Sequence, residues 1–92
     1  MLRVTDARYV AGYTVWCRFS DGLEGEVDLQ GEIYGEVFEP LRSVDAFRNF
    51  RLDPDTHTIC WTTGADFAPE YLHDLVRSAL SKPLQPAATV GG

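Results

Sequence analysis

Residues 13–29 read YTVWCRFSDGLEGEVDL, and the reading of this stretch decides the fold. Two alternating runs flank Asp21-Gly22, the strongest short-range signal for a β-hairpin. The pair predicts a two-residue turn, because Gly22 takes a positive φ without a Cβ clash and Asp21 tolerates one better than most residues. Side chains alternate along each run. Tyr13, Val15, Cys17 and Phe19 therefore share a face with Leu23, Gly25, Val27 and Leu29, and that face is expected to be core. Thr14, Trp16 and Arg18 share the other with Glu24, Glu26 and Asp28, and that face is expected to be wet. A lone hairpin is marginal in water, so further strands or a helix must cover its apolar side.

Working outward, residues 3–10 (RVTDARYV) predict a strand that turns at Ala11-Gly12 and pairs antiparallel with the hairpin. Residues 30–37 hold two glycines and no sustained period, and read as loop with a short extended piece. Ser43 is a good N-cap and Asp45 suits a first helical turn, so a short helix is expected near 44–49. Phe50-Arg51-Leu52 and Thr58–Trp61 predict short strands on either side of a turn at Asp53-Pro54-Asp55. Thr63-Gly64 is a further turn, with Ala65-Asp66-Phe67 strand-like after it. Pro69 suits the first position of a helix, and Leu72, Leu75, Val76 and Ala79 form the apolar stripe of one over 69–80. The expected fold is α+β: a single small domain over 1–80, whose antiparallel sheet has four to six strands around the central hairpin 13–29. The C-terminal helix packs on one face of that sheet, and residues 81–92 are expected to be a disordered tail. The expected core is Val4, Val15, Phe19, Val27, Leu29, Phe47, Leu52, Ile59, Trp61, Leu72, Leu75 and Val76.

At 92 residues the chain holds one domain. Its net charge of −6 disfavours a phosphate backbone as partner and favours a basic one. No apolar run approaches the roughly 20 residues that span a bilayer, so the chain reads as soluble, cytoplasmic and without a membrane partner. Cys17 and Cys60 both fall in expected strands and read as reduced, half-buried thiols of a cytoplasmic protein.

The chemistry-bearing residues point to binding rather than catalysis. Glu24, Glu26, Asp28, Glu32, Glu36 and Glu39 occupy residues 24–39 without an intervening Lys or Arg. Alternate carboxylates on one strand lie about 7 Å apart, too far to be nearest ligands of one metal ion. They form either a solvated strand face or a docking surface for a basic partner, with Glu24, Glu26, Asp28 and Trp16 as the candidate contact residues. Trp16 either lies on a second core face beneath a helix or belongs to an exposed apolar patch used in association. His57 and His73 read as surface histidines, and neither their spacing nor that of the cysteines matches a zinc site. Phosphate-cradling glycine motifs are absent, and no base, nucleophile and oxyanion donor can be assembled. No catalytic residue, cofactor or metal is assigned. Asp21, Gly22, Gly64 and Asp66 are read as structural turn and cap residues.

Taken together, Tyr13-x-Val15-x-x-x-Phe19-x-Asp21-Gly22, Val27-Asp28-Leu29, Phe38-x-Pro40-Leu41, Thr58-Ile59-x-Trp61 and Gly64-Ala65-Asp66-x-x-Pro69-x-x-Leu72 resemble a small bacterial family called domain of unknown function 2442. The resemblance covers roughly residues 2–76 and implies a compact α+β fold with an antiparallel sheet. It carries over no catalytic residue. Some members look like partners of small toxin-like proteins of the domain of unknown function 4160 family, which implies an antitoxin-like role. Others carry a C-terminal helix-turn-helix, from which this chain departs after Leu80, so direct nucleic-acid binding is not expected. The functional expectation is a non-catalytic, antitoxin-like protein-binding module that takes a small basic partner on its acidic hairpin face. The alternative is a structural or adaptor domain that works as a homo-oligomer.

Overall fold

Alternation along Thr14–Phe19 sets which way the first sheet faces, and the rest of the chain gathers on that side. The computed structural model describes residues 1–81; the remainder of the expected tail, 82–92, lies outside the described residues. Strands β1 (Val4–Ala11), β2 (Thr14–Phe19) and β3 (Glu24–Asp28) form a three-stranded antiparallel sheet in that order. Two 3-10 segments follow, Gln30–Glu32 and Glu36–Arg42, and then a one-turn helix α1 (Val44–Phe47). Strands β4 (Arg51–Asp53) and β5 (Thr58–Cys60) pair antiparallel as a second, two-stranded sheet. Helix α2 (Pro69–Ser81) closes the fold. The five strands match the expected number, but they divide between two sheets, joined where the Val4 N–H donates to the His57 carbonyl at 2.8 Å.

The predicted hairpin faces are present. Val15 lies opposite Val27 and Cys17 opposite Gly25, while Trp16 lies opposite Glu26 and Arg18 opposite Glu24. The turn itself differs from the expected two-residue form. Phe19 N–H donates to the Leu23 carbonyl at 2.8 Å and Gly22 N–H to the Phe19 carbonyl at 2.9 Å, so Ser20-Asp21-Gly22 form a three-residue loop. Only the last of these needs a left-handed backbone, and Gly22 supplies it at φ +95°. Trp61–Ala65 repeats the device: Trp61 N–H donates to the Ala65 carbonyl at 2.9 Å, and Gly64 again has φ +95°.

Helix α2 lies on the inner face of the hairpin because one strand position there has no side chain. A Cβ on Gly25 would come within 3.1 Å of Val76 Cγ1 and 3.4 Å of both Leu80 methyl carbons. Gly25→Val therefore makes Val76 and Leu80 give way and is expected to cost about 1–3 kcal/mol, the usual range for overpacking. A urea midpoint equal to that of the parent, despite the better strand propensity of Val, would contradict this seat for the helix.

The buried core contains Val4, Val15, Phe19, Val27, Leu29, Phe47, Ile59, Trp61, Leu72 and Val76 as expected, and Leu75 is half-buried. Leu52 is not core; it is 37% exposed. It shares a face with Ile59, its partner across the two-stranded sheet, but lies at the margin of that face. Ile33, Leu41, Ala65 and Phe67 are buried in addition. Ile33 follows the first 3-10 segment, within 30–37 where a loop was expected, and Leu41 lies in the second. Pro40, with its fixed φ, fits the tight winding of Glu36–Arg42, and Leu41 fastens that segment to the core. Tyr13 fastens it from the other side, its hydroxyl donating to the Arg42 carbonyl.

Candidate functional site

The outer face of the three-stranded sheet is where the structure places all four candidate contact residues. Gly25 and Cys17 point inward to α2 and the core, so their neighbours Trp16, Glu24 and Glu26 point away from both. Trp16 lies beneath no helix, and it is not a bare apolar patch either. The Arg8 guanidinium lies 4.6 Å and that of Arg18 5.2 Å from its ring centre, and the indole is half-buried between them. Such contacts are worth about 0.5–1 kcal/mol each at exposed sites. A shallow depression of about 470 Å³ runs among Arg8, Trp16, Arg18, Glu24 and Glu26.

The carboxylates form a single row on edge strand β3, each beside a different neighbour. Arg18 Nε lies 3.3 Å from Glu24 Oε1. Glu26 faces Trp16 across the ladder. Asp28 faces Thr14 and also serves the backbone, accepting the Gln30 N–H at 2.9 Å to end the strand. The face is therefore mixed: a row of carboxylates beside two arginines and an indole. Sequence spacing brought Arg18 to this face, but Arg8 arrives only through the pairing of β1, which places it opposite Trp16.

Of the turn and cap residues, Asp21 holds the hairpin end of this face. Asp21 accepts the Leu23 N–H at 3.0 Å and the His73 Nε2–H at 2.8 Å, tying the hairpin tip to α2. The His73 ring also packs edge-on against Phe19, 5.0 Å between centres. Asp66 makes a backbone bridge to Cys60, and its side chain is exposed. The Leu23 amide, and after it His73, hold the Asp21 carboxyl below its ordinary value of 3.8. A lowered folded pKa gives stability that is present above the unfolded value and is lost as pH falls through the folded one. Asp21→Asn should therefore lower the urea midpoint at neutral pH and flatten its decline below about pH 4. An unchanged acid limb would contradict the tie.

The remaining reactive groups are dispersed. His73 is engaged by Asp21, while Asp74 pairs with Arg77 at 2.8 Å, so His73-Asp74 forms no dyad. Cys17 and Cys60 are free and buried, and burial pushes the Cys17 thiol up to about 12. Cys60 Sγ lies 3.8 Å from Asp53 Oδ2. Among the described residues no group of His, Cys, Asp and Glu could hold a metal ion, and no helix is long and apolar enough to cross a membrane.

The fold and this face define a class: a small α+β domain with one side of its three-stranded antiparallel sheet packed and the other open. A family model described as Protein of unknown function (DUF2442) matches residues 4–78. The chain belongs to that family, as its hairpin and Gly64-Ala65-Asp66 motifs implied. Comparisons with curated proteins and with solved structures gave no match.

Proposed function

We propose that this domain is a non-catalytic protein-binding module, antitoxin-like in class, that takes a small basic protein partner in the cytoplasm. The observation that carries the reading is the outer sheet face. There Glu24, Glu26 and Asp28 are exposed in a row on β3, and the half-buried Trp16 lies beside them. A net charge of −6 steers basic partners toward the chain and repels nucleic acid. Aromatic rings such as that of Trp16 are enriched at the centres of interfaces. Burial keeps the Cys17 thiol protonated at neutral pH, which does not suit it to nucleophilic catalysis. Two free thiols in the described fold suit a reducing compartment.

The test is a tagged pull-down from the native host at low and moderate salt, with the eluate identified by mass spectrometry. The expected result is a small basic protein in stoichiometric amount, released as salt rises. Recovery of the bait alone would remove this reading.

One observation favours a second reading, a homo-oligomeric adaptor. The face carries arginines on β1 and β2 and carboxylates on β3, so two copies related by a two-fold axis could set each sign against the other. A concentration-independent monomer in light scattering would dismiss it.

A further inference from the structure

Away from the outer sheet face, four aromatic side chains meet at the start of α2. Phe38 stacks on Phe67 with 5.0 Å between ring centres, and Phe67 lies parallel to Tyr71, 6.0 Å away with 8° between planes. Phe67 is buried, but Tyr71 is 43% and Tyr34 68% exposed. Together they line a groove of about 490 Å³ whose charged lining residues are Glu32 and Asp66, with no Lys or Arg among them. The Tyr71 hydroxyl donates to the Glu32 carboxylate. That bond pushes the phenol up to about 12, so it remains a neutral donor.

Aromatic faces attract cations through their quadrupole, and carboxylates at the rim add charge of the complementary sign. An anionic ligand would meet two carboxylates and no base. A purely apolar ligand would partly desolvate Glu32 and Asp66 without supplying a compensating charge. Of the two cationic side chains, arginine fits better: its flat guanidinium is weakly hydrated, stacks on rings, and forks onto carboxylates.

We propose that the groove formed by Tyr34, Phe38, Phe67 and Tyr71 with Glu32 and Asp66 is a binding slot for an arginine side chain of a basic protein partner. The proposal rests on the reading above only in taking the partner to be a basic protein. Its side chains are not those of the sheet face, so the two can fail separately.

The test titrates the full-length, isotope-labelled protein with a short arginine–glycine peptide and with the same peptide carrying citrulline, which is neutral and nearly isosteric. Amide shifts centred on Tyr34, Phe38, Phe67 and Tyr71 are expected with arginine and not with citrulline. Glu32→Gln, which preserves shape, and Tyr71→Leu should each weaken binding about fivefold, the scale of one cation–π or exposed ionic contact. Three results would overturn the slot. They are equal shifts with the citrulline peptide, shifts confined to Glu24–Asp28, and groove shifts that follow protein concentration without peptide, which would seat a second copy there.

Discussion

Phe47→Ala is expected to remove about 3–5 kcal/mol of stability, the range for deleting a fully buried aromatic ring. Phe47 is wholly buried and joins parts of the chain that are distant in sequence. Its ring meets Tyr13 at 5.2 Å, Trp61 at 5.7 Å and Tyr9 at 6.4 Å between centres. Its backbone carbonyl also accepts the Trp61 indole N–H at 2.7 Å. Removing the ring thus opens a void between the first sheet, α1 and the Trp61 turn, where neighbours held by their own bonds collapse poorly. Domains of this size hold about 5–15 kcal/mol in all, so the variant should melt roughly 15–30 °C lower. Leu52→Ala is the matched control, because Leu52 is 37% exposed and should cost less than about 1 kcal/mol. Equal losses in the two variants would contradict the placement of the core.

The second large effect concerns binding. Reversing Glu24, Glu26 and Asp28 together to Lys should weaken the basic partner roughly 100-fold, taking about 1 kcal/mol for each exposed contact. The fold should survive. Only the Glu24 pair with Arg18 is an ion pair among these three within the described residues, and exposed pairs contribute less than about 1 kcal/mol. Asp28 also caps the backbone after β3, so a separate Asp28→Asn variant distinguishes that structural loss from loss of charge. Titration calorimetry of the recovered complex at moderate salt checks the outcome; unchanged affinity would place the partner elsewhere.

Much of the fold was legible because period-two alternation over 14–29 is local, and so is the helical stripe from Leu72 to Val76. The corrections arise where structure depends on pairing between distant segments. In β1 the register shifts between Val4 and Asp6 and again between Tyr9 and Ala11, so the strand does not keep one parity along its length. Val4, Ala7 and Tyr9 pair with the inner residues Phe19, Cys17 and Val15, whereas Arg8 pairs with Trp16. A bulge of this kind leaves no trace in a run such as RVTDARYV, and it is what brings Arg8 onto the candidate face. The 3-10 winding of Glu36–Arg42 was hidden for a related reason. Short 3-10 segments have no hydrophobic period, and this one is held by Leu41 and by the Tyr13 hydroxyl from the turn between β1 and β2. Leu52 looked like core because composition reveals strand character but not position at a sheet margin. The carboxylate row was legible in full, and the aromatic groove was not: Glu32, Tyr34, Phe38, Phe67 and Tyr71 meet only through folding.

The most direct measurement is an amide and indole chemical-shift footprint of the basic partner on the isotope-labelled protein. The predicted footprint covers Arg8, the Trp16 indole and Glu24 to Asp28, and spares the inner positions on α2 around Val76. A footprint over the β4–β5 sheet with the Trp16 indole unmoved would contradict the claim that the open sheet face is the binding surface.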